Sequence, residues 1–322
     1  MLAQSMKIIA IVQARMGSTR FPGKVMQLIN GVPMIELLLQ RLARARTFDT
    51  ILLATSVDPR NKPLVEHVRS LGYEGYEGSE TDVLERFYEA AKPHRPDAVV
   101  RITGDCPLVD PEVVDKVVQV FREENKDYVS NAQPPTFPDG LDCEVFPLRA
   151  LELAFAEVSL PVQREHVTPY LREAEQFSRA NVKNERDFSH ERWTVDEPRD
   201  LVVVASVFAH FSPRTDFTWN EVIELRKSNP ALFEANSDIK RNEGIALGSG
   251  PKLWKRAKRV IPGGNMLLSK RPEMFLPDRW PVYFSRAKGC KVWDLDGKEY
   301  TDMSIMGIGT NILGYGHPEV DE

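Results

Sequence analysis

The stretch Lys7-Ile-Ile-Ala-Ile-Val-Gln-Ala14 is apolar without alternation. A strand with one wet face alternates apolar and polar residues, so a short continuous run implies a strand buried on both faces. Ile51-Leu-Leu-Ala-Thr55 and Ala98-Val-Val-Arg-Ile102 repeat the pattern. Helical spacings separate these runs. Met34, Leu37, Leu38 and Leu42 follow Pro33, which is placed at a helix's first position. Leu64, Val65, Val68 and Leu71 form a second face, and Val83, Leu84, Phe87 and Ala91 a third behind a Thr81 or Asp82 cap. Asp110-Pro111 opens a fourth helix with Val113, Val114, Val117, Val118 and Phe121 inward. Strands alternating with crossover helices predict an α/β fold, a doubly wound, mostly parallel, Rossmann-like sheet covered on both faces.

This pattern occupies residues 1–235 of a chain of 322, about twice the commonest domain size. Asn236 to Gly250, with Asn-Ser-Asp and then Gly-Ile-Ala-Leu-Gly-Ser-Gly, reads as a linker (236–250), leaving 251–322 as a further segment. Charge changes across it. Residues 251–322 hold 12 Lys and Arg against 9 Asp and Glu, whereas residues 1–250 hold 30 against 38. A net charge of −5 argues against nucleic acid as a partner, since phosphate neutralisation needs a basic surface. The longest largely apolar stretch, Leu201 to Ala209 with Ser206 inside it, is far short of the about 20 residues of a membrane span. Cys106, Cys143 and Cys290 are widely spaced and odd in number, which fits no disulfide framework or zinc site. With no charged leader and apolar core at the N-terminus, a cytoplasmic location is expected.

In open α/β sheets, ligands sit beyond the carboxyl ends of the strands. The loop after the first run reads Gln13-Ala-Arg15-Met-Gly17-Ser18-Thr19-Arg20-Phe-Pro22-Gly23-Lys24. Its glycines let backbone amides approach phosphate oxygens, and its cations supply charge-assisted bonds. It matches neither the Walker pattern nor the dinucleotide Gly-x-Gly-x-x-Gly. Polyphosphate binding and a plain solvated basic turn both remain open. Asp105, in Arg101-Ile-Thr-Gly104-Asp105-Cys-Pro107, follows the third strand, where it is either a turn former or a magnesium ligand. Asp110 reads as a helix cap. Asp196, in Arg192-Trp-Thr-Val-Asp196-Glu197-Pro198, is expected at a strand end before a helix from Leu201 to Phe208, as either a cap or a metal ligand. Asp139, Asp142 and Glu144 lie on a turn and strand, the last two on one face by alternation, a grouping suited to hydroxyl-rich ligands.

The Ala14–Lys24 string resembles the nucleotide-binding signature of the cytidylyltransferases that activate acidic sugars such as 3-deoxy-manno-octulosonate and neuraminate, most of all the spore-coat polysaccharide branch. The resemblance implies a nucleotide-diphospho-sugar transferase-like fold. It also implies that Ala14, Arg15, Gly17, Ser18, Thr19, Arg20 and Lys24 bind CTP, with Ser79, Asp82 and Arg86 beside the base and ribose. Asp105 and Asp196 become the Mg²⁺ ligands, and Asp139, Asp142, Glu144, Arg164 and His166 line the acceptor pocket. His166 is alternatively a surface histidine, Asp82 a cap and Arg86 a surface partner. Arg15, Lys24, Asp105 and Asp196 carry the implied chemistry, in which an acceptor hydroxyl attacks the α-phosphorus of CTP and pyrophosphate leaves. The small-molecule partners are CTP and a sugar or sugar acid of surface-glycan biosynthesis, and homodimers are common among such enzymes. Another NTP, a phosphorylated acceptor and a non-catalytic sugar-nucleotide-binding scaffold are the competing readings.

Beyond the linker, Val282-Tyr-Phe284 and Cys290–Leu295 alternate as strands do, and Asp296-Gly297 reads as a two-residue hairpin turn. Val260-Ile-Pro-Gly263-Gly264, Arg286–Asp302 and Gly314-Tyr-Gly316-His317-Pro318 resemble the start of class III pyridoxal-phosphate-dependent aminotransferases, nearest the glutamate-1-semialdehyde aminomutase branch. Neither Lys288 nor Lys291 matches that family's Schiff-base lysine. The resemblance implies a catalytically silent opening segment of a bifunctional fusion, pyridoxal phosphate belonging only to a complete aminotransferase domain.

Overall fold

The computed structural model describes residues 6–18, 20–159, 161–239, 241, 249–265, 271–275, 281–303 and 312–321. Two compact units emerge, Met1–Ser159 with Gln163–Arg241, and Leu160–Val162 with Asn242–Glu322.

In the first unit, strand β1 (Ile8–Gln13) is followed by a small hairpin, β2 (Leu28–Ile29) and β3 (Val32–Pro33), and by helix α1 (Met34–Leu42). Then come β4 (Thr50–Ser56), α2 (Lys62–Ser70), β5 (Glu74–Gly78), α3 (Val83–Ala91), β6 (Ala98–Thr103) and α4 (Pro111–Glu124). The remainder is β7 (Tyr128–Ser130), β8 (Glu144–Pro147), α5 (Leu148–Glu157), α6 (Pro161–His166, in this unit from Gln163 on), α7 (Pro169–Glu173), β9 (Arg179–Asn181), α8 (Pro198–Phe211) and α9 (Trp219–Ser228). Seven strands form one sheet in the order β5-β4-β1-β6-β8-β7-β9. Only β8 runs against its neighbours, so the sheet is mostly parallel.

The absence of alternation in β1 has the expected cause. Ile8, Ala10 and Val12 join one core cluster, under α1, α4 and α8, while Ile9 and Ile11 join the other, under α3 and α5. Caps fall largely where the sequence puts them. Asp82 accepts from the Glu85 amide at 2.9 Å, and Asp110 from Glu112 at 2.9 Å and Val113 at 3.3 Å. Pro33 is an exception: it ends β3 and precedes α1 as its cap rather than starting it. From β1 the chain moves to β4 and β5 on one side and then crosses to β6 on the other. The switch point therefore lies between β1 and β6, where ligands of such sheets bind.

The second unit contains α10 (Ser249–Val260), an antiparallel sheet of β10 (Phe284–Lys288), β11 (Lys291–Asp294) and β12 (Glu299–Thr301), and a short α11 (Pro318–Asp321). The first strand starts at Phe284, two residues later than the alternation suggests. The Asp296-Gly297 turn is wider than two residues: Asp294 N–H donates to the Lys298 carbonyl at 3.0 Å, closing a three-residue loop with Gly297 at φ +82°. Among the described residues no helix is long and apolar enough to cross a membrane.

Candidate active site

Three backbone contacts gather segments far apart in sequence at the carboxyl ends of β1 and β6. Gly104 donates its amide to the Gln13 carbonyl at 2.7 Å, and a Cβ there would stand 2.6 Å from that of Ala14. Only glycine fits. Val195 N–H donates to the Asp105 carbonyl at 2.7 Å. Trp193 N–H donates to the Asp139 carbonyl at 2.7 Å, while Gly140, at φ +115°, packs where a Cβ would be 2.7 Å from the Thr194 nitrogen. The loop after β1, the turn after β6, the 138–142 turn and the approach to α8 are thereby fastened together.

The cationic loop closes on itself. Gly23, at φ +70°, donates its amide to the Met16 carbonyl at 2.9 Å, and the Ser18 hydroxyl accepts from Phe21 N–H at 3.3 Å. Asn61 holds it from outside, accepting from the Met16 amide at 2.7 Å while donating to the Ser56 carbonyl at 2.9 Å and hydroxyl at 2.8 Å. Thr19 lies outside the described residues.

Lys24 then turns inward. Its ammonium donates to Asp105 Oδ2 at 2.9 Å, Asp196 Oδ1 at 3.0 Å and the Val195 carbonyl at 2.7 Å. Arg20 Nη2 reaches the same Asp196 oxygen at 2.8 Å. Burial works against the charge of Lys24, but Asp105 and Asp196 outweigh it and raise the Lys24 pKa. For Asp105, burial acts upward, whereas the Lys24 charge and hydrogen bond, with the Thr103 hydroxyl, bring it down to about 2. The buried Cys106 thiol, 3.5 Å from Asp105 Oδ1, is pushed well above its ordinary range by burial and by the Asp105 charge. It is a protonated donor, not a nucleophile.

Asp196 is not the cap of α8, and the segment before it makes only a bridge, Asp139 to Arg192, rather than a strand. Glu197 caps the helix in a reciprocal box with Asp200, which frees the Asp196 side chain for the site. Arg192, absent from the residues singled out by sequence, organises this corner. It donates to Asp200 Oδ1 at 2.8 Å and Oδ2 at 2.9 Å, to Asp139 Oδ2 at 3.3 Å and to Asp196 Oδ2 at 3.4 Å. Its one sequence signal is its place four residues before Asp196. Asp139 is pushed up to about 7 by burial, with Asp142 and Asp196 adding to the shift and Arg241 and Arg192 opposing it. Asp142 is likewise raised by burial, against its ion pair with Arg241.

The remaining sequence candidates divide. Arg15 lies near Arg86, whose pKa falls to about 10 through burial and that neighbouring charge. Arg86 is 1 % exposed, not a surface residue, and donates through Nε to the Ser79 carbonyl at 2.9 Å and through Nη2 to the Glu80 carbonyl at 3.1 Å. Ser79 Oγ accepts from Asp82 N–H at 3.1 Å, and Arg164 Nε donates to Asp82 Oδ2. Arg86, Ser79, Asp82 and Arg164 thus shape one loop. Strand alternation does not relate Asp142 to Glu144, because β8 begins only at Glu144 and Asp142 lies before it. It accepts from Arg101, from Tyr128 Oη and, at 2.8 Å, from Thr168 Oγ1. Burial acts upward on Glu144, and Arg101 and Arg172 bring it below the usual range. His166 ends α6, its carbonyl accepting from Thr168 N–H at 2.8 Å.

No cluster of three or more His, Cys, Asp or Glu side chains suited to a metal occurs among the described residues. A divalent ion at Asp105 and Asp196 would have two carboxylates and take its other ligands from phosphate and water, the set Mg²⁺ prefers. Two acids sharing one cation, all-oxygen donors and Asp105 held ionised fit that ion.

A switch-point site of this kind, with a glycine-containing cationic loop facing paired carboxylates, defines a nucleotidyl-transferring α/β domain. The cytidylyltransferase family model matches residues 9–237, and the chain belongs to that family. It is a nucleotidyltransferase. Over 240 residues it is 30 % identical to the spore coat polysaccharide biosynthesis protein SpsF of Bacillus subtilis, covering 72 % of this chain and 99 % of that one. A protein of Methanocaldococcus jannaschii is 36 % identical over 239 residues, covering 73 % and 97 %. The solved structure of a cytidylyltransferase from Leptospira borgpetersenii superposes with a TM-score of 0.69 at 32 % identity, covering 71 % of this chain and 97 % of that one.

Proposed function

We propose that this enzyme transfers the cytidylyl group of CTP to a hydroxyl of a sugar or sugar acid, releasing pyrophosphate, with Mg²⁺ held by Asp105 and Asp196. The observation that carries this reading is the single ammonium of Lys24 joining those two carboxylates at the β1–β6 switch point, beside Arg20. Arg15, Arg20 and Lys24, with the backbone amides around Gly17 and Ser18, neutralise and orient the triphosphate. The Ser79–Arg86 loop lies beside the base and ribose. Asp139 and Asp142 face the acceptor's hydroxyls. Arg164, through Asp82, holds the Ser79–Arg86 loop against that pocket, while Glu144 acts on it through Thr168 and His166 from the end of α6. Bound Mg²⁺ supplies Lewis-acid polarisation of phosphoryl oxygens. The protein's part is to place hydroxyl, α-phosphorus and leaving pyrophosphate in line.

The B. subtilis relative's name supports a role in surface polysaccharide synthesis. A pyrophosphate-release screen with CTP, Mg²⁺ and a panel of sugars and sugar acids, read by mass spectrometry for a CMP conjugate, tests the reading. CTP binding with no pyrophosphate from any acceptor would overturn it in favour of a non-catalytic scaffold. Pyrophosphate with UTP, GTP or ATP in preference to CTP would favour another nucleotide.

For residues 251–322 the likeness to a class III aminotransferase opening rests on sequence motifs alone. The described residues do not fit pyridoxal phosphate. Lys291 is engaged on the hairpin with Thr301 at 2.8 Å and Glu299 at 3.0 Å.

A further inference from the structure

We infer that Lys24 is the resident counter-cation of the Asp105–Asp196 pair, and that a divalent ion enters only when nucleotide phosphate is present to receive its ammonium. The inference rests on the reading of those two aspartates as the metal pair. An ammonium has three protons, and all three have acceptors here: Asp105 Oδ2 at 2.9 Å, Asp196 Oδ1 at 3.0 Å and the Val195 carbonyl at 2.7 Å. Lys24 is 8 % exposed, whereas Arg20, the second cation on Asp196, is 41 % exposed at its side chain. The inner cation is therefore fully satisfied without a ligand. A divalent ion entering alone would set two positive charges beside a buried third and strip Lys24 of both carboxylates. Like charges so close in a poorly solvated site repel one another strongly.

A triphosphate changes this balance. Its oxygens offer Lys24 and Arg20 new acceptors, leave both carboxylates free, and add negative charge for the metal to bridge. Metal and nucleotide must then strengthen one another's binding by the same factor. The arrangement also protects the site between turnovers, because Asp105 and Asp196 are never left facing each other without a cation.

The test is Mn²⁺ binding to the full chain, followed by electron paramagnetic resonance, with and without CTP and with no acceptor present. Asp105→Asn serves as the blank for Mn²⁺ carried by free CTP. Lys24→Met should tighten Mn²⁺ binding to the nucleotide-free protein at least tenfold relative to wild type. Lys24→Gln, which keeps a hydrogen-bond donor without the charge, gives the same comparison should the Met variant fail to fold. Equal nucleotide-free affinity in wild type and both variants overturns the inference. No Mn²⁺ bound by any of them, even with CTP, overturns the metal assignment on which it rests.

Discussion

Val195 donates its backbone amide to the carbonyl of Asp105 at 2.7 Å, joining the turn after β6 to the approach to α8. This main-chain link carries both acidic residues to one place whatever their side chains are. Asp105→Ala and Asp196→Ala should each lower turnover by at least about 10²-fold, by analogy with the loss of other preorganised charge contacts. Unfolding free energy should fall by no more than about 2 kcal/mol, since Lys24 keeps its other acceptors. Pyrophosphate release and urea unfolding measured on the same preparations check both halves. Near-wild-type turnover in either variant would refute the assignment.

Gly104 makes a sharper demand on the same junction. A methyl group there would press on Ala14 Cβ at 2.6 Å and on the Gln13 carbonyl at 2.9 Å, just where the β1–β6 ladder ends with Gln13 opposite Thr103. Overpacking of this kind costs about 1–3 kcal/mol. The backbone must also shift, which moves Asp105 next door. Gly104→Ala should therefore reduce CTP affinity beyond what the stability loss accounts for, as read by CTP titration well below the melting temperature. Unchanged CTP affinity and stability would show that the two strand ends can separate freely.

Much of this was legible in the sequence. Strands β1, β4 and β6 are buried on both faces, so their residues carry an unbroken apolar signal, and the alternation of strand and helix follows from it. Edge strand β5, Glu74-Gly-Tyr-Glu-Gly, has no such signal because much of it is wet. β7 and β9, three residues each, are too short for a period to show. Within the site, Lys24 and Asp105 announce themselves by charge in loops that follow strands. Arg192 and Asn61 do not, since their roles exist only through contacts made in three dimensions. Asp196 posed a different difficulty: acid-acid-Pro is what a helix start looks like, and only Glu197 and Asp200 taking that role separates the two functions.

Asp139 gives a pH signature. Its carboxyl is raised to about 7 in the folded chain, chiefly by burial, from an ordinary value near 4 in the unfolded chain. The folded protein thus holds a proton there that the unfolded protein has lost. The resulting stability cost is absent below about pH 4, grows as the pH rises, and is complete above about 7. Asp139→Asn removes the titration, so its unfolding free energy relative to wild type should move in the variant's favour by about 2–4 kcal/mol between pH 4.5 and 8. Urea unfolding across that range measures it, and a pH-independent difference would refute it.

Glu144 predicts the opposite dependence. Burial acts against its charge, but Arg101 and Arg172 hold it below the usual carboxylate range, so the stability it contributes is present above the unfolded value and is lost as the pH falls through the folded one. Tyr128 and Thr168 also donate to it, tying β7 and the start of α7 to β8. Removing one partner of a buried ion pair costs about 3–5 kcal/mol, so Glu144→Ala should be among the most destabilising single changes in the first unit. Glu144→Gln, which keeps acceptor capacity, should cost clearly less. Equal losses would mean that the cavity, rather than the unpaired Arg101, sets the cost.

Asn61 extends the argument from acids to a neutral residue. It is 1 % exposed, and its amide group spans from the end of β4 to the Met16 amide, using both its oxygen and its nitrogen. Asn61→Ala would leave the Met16 N–H and the Ser56 carbonyl without these partners, at about 1–3 kcal/mol for each group left unsatisfied. Because Met16 follows Arg15 and precedes Gly17, the loosened segment is the one proposed to hold the triphosphate. The expected result is a several-fold weaker CTP affinity with little change in turnover at saturating CTP, accompanied by a lower melting temperature. Isothermal titration with CTP, set beside the pyrophosphate assay, separates the two effects. A lower melting temperature with unchanged CTP affinity would place the loop's order in Gly23 and Ser18 alone.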